Sequence, residues 1–161
     1  MTFGSDHTPG APRIIVTVEV DRNGLEVLDR AECLRLLARA TLGRIGVSSG
    51  ALPTVLPVNF WLDQDRILIR TGEGTRLDAA ARNAVVAFEV DDFDTMCHAG
   101  WSVAVTGVAR EVTDPDDLAA LRTAPVARWA CRGNGRLIAI STDMISGRRL
   151  APGQPRHQEV G

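Results

Sequence analysis

Arg66-Ile67-Leu68-Ile69-Arg70-Thr71-Gly72-Glu73-Gly74-Thr75-Arg76-Leu77 is the stretch on which the reading of this chain turns. Its apolar, β-branched first half reads as a strand, the two glycines break that strand, and residues 77–83 read as a short helical segment. A strand that runs through a glycine loop into a helix start is a candidate phosphate cradle. The glycines let the backbone curl until several N–H groups converge, and the helix start adds unpaired N–H groups and positive dipole. Thr71, Thr75, Arg70 and Arg76 can add hydroxyl and guanidinium donors. The ligand this predicts is a phosphate ester, with a nucleotide cofactor as the leading expectation.

Upstream of the loop, residues 42–48 and 54–62 alternate in the manner of strands, and tight turns at Ser49-Gly50-Ala51 and Asp63-Gln64-Asp65 join them to 66–71 as a meander. Pro53 and Pro57 require that the middle strand have an edge segment or a bulge. Ahead of the meander, Asp29 is a helix N-cap with Glu32 three residues on, Leu28 and Cys33 can form a staple, and the helix should end near Ala40. Residues 14–20 read as a further strand, at an edge.

Downstream, residues 84–90 read as a buried strand. Residues 100–113 are long enough to bend around a barrel, with Gly107 as the kink. Asp114 caps a second helix with Pro115 in its first turn and Leu118 and Leu121 on its apolar side. Residues 136–141 and 144–150 close the domain as strands. Seven or eight strands with two to three short helices predict a mostly antiparallel β-barrel of the α+β kind.

At 161 residues and 45% hydrophobic content, the chain is expected to form one domain over residues 14–150. The tails, 1–13 and 151–161, are rich in Pro, Gly and polar residues and read as disordered. A net charge of -2 gives no pull toward nucleic acid or an anionic membrane surface. No apolar run approaches the roughly 20 residues of a membrane span, and the N-terminus lacks a basic region followed by an apolar one. A cytoplasmic location is therefore expected.

Every one of the 18 basic residues is arginine, and the chain has no tyrosine. Without lysine, neither a Schiff base with pyridoxal phosphate nor a Walker-type loop can form. Cys33, Cys97 and Cys131 are odd in number and widely spaced, which argues against a disulfide framework or a zinc site. Cys97-His98 reads as an ordinary thiol beside a surface histidine, and the acidic run Asp91-Asp92-Phe93-Asp94 as a solvated turn.

The residues together resemble a known family. A helix with Leu36-Leu37-Ala38-Arg39, the strand Gly43-Arg44-Ile45-Gly46 and the segment Pro57-Val58-Asn59-Phe60 come first. The glycine loop, Gly100-Trp101-Ser102-Val103 with Gly107, and a terminal Ile145-Ser146-Gly147-Arg148-Arg149-Leu150 follow. In this order, over residues 29–150, they resemble the pyridoxamine 5'-phosphate oxidase-like flavin-binding split barrels, closest to small actinobacterial-type members and the nitroimidazole-reductase-like branch. The resemblance implies a six-stranded split barrel that forms a homodimer with FMN in two grooves at the interface.

It also implies roles for individual residues. Pro57, Val58, Asn59 and Phe60 would run past the isoalloxazine edge; Arg70, Thr71, Thr75, Arg76 and Leu77 would hold the ribityl phosphate. Trp101 and Ser102 would contribute from a neighbouring strand or subunit. Relatives often carry lysine where Arg76 stands, and arginine offers charge in a planar fork instead. Nothing in the chain matches the residues by which the true oxidase selects pyridoxamine phosphate, so vitamin B6 oxidation is not implied.

The leading functional expectation is an FMN-dependent oxidoreductase acting on a small molecule, with a transient electron donor in place of a nicotinamide domain of its own. F420 in the same groove is a close variant. The alternative is a flavin, F420 or haem carrier without turnover. Haem would need an axial ligand such as His98 or Cys97. Trp61, Trp101 and Trp129 read by default as core or interface residues, with Trp101 the preferred exception.

Overall fold

The computed structural model describes residues 18–49, 51–72, 74–75, 77–78, 83–124 and 135–152. They form β1 (Glu26–Leu28), α1 (Arg30–Arg39), β2 (Leu42–Ser49), β3 (Leu52–Asp63), β4 (Arg66–Thr71), β5 (Val85–Asp94) and β6 (Ala99–Glu111). Then come α2 (Pro115–Ala120) with a 3-10 turn at Leu121–Thr123, β7 (Arg136–Ser141) and β8 (Met144–Leu150). Neighbouring strands follow the order β1-β8-β6-β5-β2-β3-β4-β7, and β7 pairs back onto β6. Six strands, β6, β5, β2, β3, β4 and β7, thus close an antiparallel barrel, as expected from the sequence, and β8 and β1 extend from β6 as a wing.

The wing and the barrel share β6. Its residues Gly100 to Thr106 pair with β8, and Ala109 to Glu111 pair with β7. Gly107 stands at this fork, where a Cβ would lie 2.6 Å from the Ser141 carbonyl oxygen, so only glycine lets the two partner strands diverge so closely. β3 divides in the same way: Leu52 to Asn59 pair with β2 and Phe60 to Asp63 with β4. The Phe60 amide donates to the Thr41 carbonyl at 3.1 Å. By strand alternation, the nitrogens of Pro53 and Pro57 face away from β2, toward the free edge. The prolines keep their register opposite Ser48 and Arg44 without a bulge.

Alternation along each strand puts one set of apolar side chains inside the ring. Ile45, Val47, Phe60, Ile67, Ile69, Val86, Phe88, Val103, Val105, Ile138 and Ile140 form the main core, and Phe60 meets Phe88 edge to face at 4.9 Å. The helix α1 packs Cys33, Leu36 and Leu37 into the same core. Its N-cap is Asp29, whose carboxylate accepts the Glu32 amide at 2.7 Å. The Glu32 side chain bonds Arg35 and Arg149 instead of turning back to the cap, so only half of a capping box is made. Gly147 of β8 admits the helix: a Cβ there would lie 2.6 Å from Cys33 Sγ and 3.1 Å from Leu28 Cβ.

Outside the ring, Leu68 with Val112, Leu121 and Ala124 forms a second small core, against which Trp61, Leu137 and Ala139 pack. Asp114 caps α2 by accepting the Asp117 amide at 2.9 Å, with Pro115 in the first turn. Of the two leucines expected on its apolar side, Leu121 is buried and Leu118 is exposed.

Two other expectations change. The acidic run Asp91 to Asp94 is the end of β5, paired with Ser102 to Ala99 of β6, because exposed carboxylates are tolerated on the outer end of a hairpin. The turn follows it, where Asp94 accepts the Met96 and Cys97 amides at 2.8 and 3.3 Å. The edge strand is Glu26–Leu28; of the segment 14–20, residues 14–17 lie outside the described residues and Val20 makes one isolated bridge to Glu26. Asn83, expected to end a helix, sits in a turn at φ 52°, and residues 79–82 are outside the described set. So are the greater part of both tails, Trp129 and Cys131. No helix among the described residues is long and apolar enough to cross a membrane.

Candidate functional site

β3 and β4 bring two of the three expected segments together. Phe60 stands opposite Ile69 with both side chains in the core, and this pair ends the β3–β4 ladder; Asn59, just before it, pairs with Leu42 of β2, and Arg70, just after Ile69, pairs with Leu137 of β7. Asn59 is exposed in this chain, as is Pro57. Thr71 turns the other way, onto the interior side that Ile67 and Ile69 share. Its hydroxyl is buried and has no hydrogen-bond partner among the described residues. A buried hydroxyl without a partner is costly, and it marks a point where a polar group of a ligand would be welcome.

The glycine loop that follows is more self-contained than its sequence predicts. The Thr75 amide and hydroxyl both donate to the Gly72 carbonyl, at 3.3 and 2.8 Å, and the same hydroxyl accepts the Asp78 amide at 3.1 Å. Thr75 thus caps the short helical turn that begins at Leu77. The Gly74 amide, which an anion would use, donates to Asp78 Oδ2 at 3.1 Å. Asp78 is only 1% exposed, and its Oδ1 lies 3.8 Å from Arg136 Nε. Arg136 opens β7 opposite Thr71 and also faces Glu111 at 3.6 Å. Asp78 and Arg136 were not singled out from sequence; the Thr-x-x-Asp spacing from Thr75, a capping pattern, is the signal that points to the first. Arg76 lies outside the described residues, and Leu77 is half-buried.

The third expected segment is elsewhere. Trp101 and Ser102 lie near the start of β6, whereas Glu111, at the loop end, is ten residues further along the same strand, a contour of about 33 Å. Trp101 is half-buried and packs on the main core. Two shallow clefts of about 210 and 230 Å³ flank it. Asp92, Gly100 and Leu150 border both, with Ser102 and Arg148 in one and Arg149 in the other. Arg148 bonds Asp21 at 2.9 Å, and Arg149 bonds Glu26 at 3.3 Å and Glu32, so these arginines anchor the wing. Across the sheet, Asn59 pairs with Leu42 of β2 and Asp91 of β5 with Ser102 of β6, so Ser102 lies on the outer face about three strand spacings from Asn59.

Between the two regions, the outer face of the sheet is apolar and uncovered. In one cross-strand row Val55, Gly46, Ala87, Thr106 and Met144 lie side by side. Val55 is 66% exposed and Met144 68%, and Leu42 and Val85 lie exposed on the same face. Beside this row Arg44 bonds Glu89 at 3.1 Å and Asp91.

Cys97 and His98 occupy the β5–β6 turn, on the far side from the loop. A hydrogen bond to Asp94 pushes the Cys97 thiol above its usual value, which disfavours the thiolate a metal would need. No group of three or more metal-ligating side chains occurs among the described residues.

Residues 29–149 match the family described as pyridoxamine 5'-phosphate oxidase. The uncharacterized protein Rv0080 of Mycobacterium tuberculosis is 36% identical over 128 residues, covering 76% of this chain and 84% of that protein. A structure described as the FAD-binding protein from Mycobacterium smegmatis is 38% identical and superposes with a TM-score of 0.68, covering 77% of this chain and 97% of that one. A candidate 5-nitroimidazole antibiotic resistance protein from Bacteroides thetaiotaomicron superposes at 0.64 over 89% and 96% of the two chains. At 13% identity that likeness shows a shared fold only.

Proposed function

Because the chain belongs to the pyridoxamine 5'-phosphate oxidase-like family of split barrels, we propose that it is a flavin-binding oxidoreductase that works as a homodimer. The observation that carries this reading is that Asn59 and Arg70 flank the Phe60–Ile69 pair where β3 and β4 part, with the glycine loop following directly from β4. An amide that can both donate and accept suits the ring edge of a flavin, and a guanidinium on the neighbouring strand suits its phosphate end. The residues present therefore fit the group. A bound flavin supplies the two-electron chemistry, and the protein's part is to hold and shield it.

In this reading, Asn59 orients the ring edge, Pro57 and Val58 border it, and Arg70 with Thr75 fixes the phosphate end. Trp101 and Ser102 come from the second copy, whose apolar face packs on the row from Val55 to Met144. The uncovered area of that row and its small residues, Gly46 and Ala87, favour such close face-to-face packing. The reacting small molecule and a transient electron donor enter from the Trp101 side. Because the relative from Mycobacterium smegmatis is described as FAD-binding, FAD joins FMN at the head of the flavins to be tried, with F420 and haem behind them.

The deciding experiment is titration of the purified apoprotein with riboflavin, FMN, FAD, F420 and haem, followed by absorbance and flavin fluorescence. Binding of a flavin nucleotide more tightly than riboflavin is expected. Failure of every flavin to bind overturns the reading. Reduction of the bound flavin by a nicotinamide donor or a partner reductase then separates an enzyme from a carrier.

A further inference from the structure

We infer that the two clefts beside Trp101 form one binding site for a small organic cation with an apolar body, and that Asp92 is the group that reads its charge. The role of the bound molecule, as the reacting small molecule, rests on the flavin reading above; its binding does not.

Asp92 and Trp101 stand directly opposite each other in the β5–β6 ladder, so their side chains leave the same face of the hairpin side by side. With Gly100 and Leu150 they border both clefts, which makes the two spaces one site. A cavity of about 150 Å³ already takes benzene, and each cleft, at about 210 and 230 Å³, is larger. Gly100 shapes a second aromatic wall. A Cβ there would lie 2.7 Å from a ring carbon of Phe93, so glycine is what lets that ring lie over the strand, where it stays 47% exposed.

The charges around the site sort themselves by partner. Arg148 is held by Asp21 at 2.9 Å and by the Gly147 carbonyl, and Arg149 by Glu26 and Glu32. Asp91 is bonded by Arg44, and Asp94 accepts the Met96 and Cys97 amides. Asp92 is the one charged group of the lining with no hydrogen bond or ion pair among the described residues. An open carboxylate beside an indole attracts a cation twice, by its charge and through the ring face, and repels an anion. Arginines already seated on carboxylates offer an anion little in exchange. The two rings and Leu150 take the apolar body.

The test uses three probes of nearly equal shape: benzylamine, benzyl alcohol and benzoate, which are positive, neutral and negative near neutral pH. Each is titrated at millimolar concentration into the purified full chain, as isolated, and binding is read from the backbone amide NMR signals of Asp92, Phe93, Gly100 and Trp101. Benzylamine should shift these signals saturably, benzyl alcohol more weakly and benzoate not at all. Asp92→Asn should weaken benzylamine by about 3- to 5-fold and leave benzyl alcohol unchanged, the size expected at an exposed carboxylate. Phe93→Ala should weaken both probes alike.

Benzoate binding as tightly as benzylamine, an Asp92→Asn protein that holds benzylamine as well as wild type, or no binding of any probe overturns the inference. Because the probes are read without a flavin signal, that failure leaves the flavin reading intact. Benzylamine binding in a protein that takes no flavin upholds the cation site and overturns the role assigned to its ligand.

Discussion

Arg66 on β4 holds Asp117 on α2 through two parallel hydrogen bonds, Nη1 to Oδ2 at 2.7 Å and Nη2 to Oδ1 at 2.6 Å, while its Nε reaches Asp63 at 2.9 Å. One guanidinium thus ties the second helix to the β3–β4 hairpin. The hydrogen bonds from Arg66 hold the Asp117 carboxyl below its usual range. The pair is about 30% exposed, which weakens it through solvent screening. Asp117→Ala should cost about 1 kcal/mol, read as a lower urea midpoint, and the loss should shrink in high salt.

Gly147 faces Cys33 Sγ at a distance no Cβ can occupy. Gly147→Ala should therefore push α1 off the wing and destabilise the protein by about 1 to 3 kcal/mol. Thermal unfolding measures it, and Cys33→Ala in the same chain should recover part of the loss by making room.

Glu32 titrates at about 2, held down first by the hydrogen bonds from Arg35 and then by those from Arg149. Its folded value lies below the ordinary 4.5, so the stabilisation is fully present above about pH 4.5 and disappears as the pH falls toward 2. Glu32→Gln should be less stable than wild type at pH 7, and the two unfolding midpoints should converge on acidification. A constant gap down to pH 2 would show that the carboxylate is not the source.

Arg70→Ala should weaken FMN or FAD by about 10- to 100-fold while leaving riboflavin unchanged, the size expected for one charge-assisted contact to phosphate. Equal loss for riboflavin would move Arg70 from the phosphate to the ring.

The proposed dimer, in which each site takes Arg70 from one copy and Trp101 from the other, makes a distinctive mixing prediction. Arg70→Ala and Trp101→Ala proteins, each weak in flavin binding, should recover on the order of a quarter of native sites after subunit exchange, because one site of each mixed dimer has both residues. No recovery would place Trp101 outside the site.

Much of this fold can be read from residue patterns because the signals are local. Asp29 and Asp114 announce their helices by capping chemistry, β7 and β8 coincide with their apolar patterns, and Gly107 marks the fork of β6. The errors fall where pairing partners decide. Asp91 to Asp94 look like a turn until Ser102 to Ala99 are seen opposite them, and Glu26–Leu28 is too short to stand out without β8 beside it. The candidate site was half legible. Asn59 and Arg70 are eleven residues apart and flank the Phe60–Ile69 pair, which a meander predicts. That Asp78 occupies the Gly74 amide depends on a side chain folding back into its own loop, and no periodicity reports that.

The wing has a consequence for how the molecule assembles during synthesis. β1 pairs with β8 alone, Glu26 to Leu28 against Arg149 to Gly147, and Cys33 packs where Gly147 leaves room. The hydrogen-bonded ring needs nothing beyond Ser141. A nascent chain can therefore close its barrel while the first helix still lacks part of its seat. Docking of β1 waits for the last strand to emerge, a loop closure of more than a hundred residues. Refolding should accordingly show the barrel core protected from hydrogen exchange before the amides of β1, and a ribosome-stalled chain ending near residue 142 should expose the edge of β6 that β8 later covers.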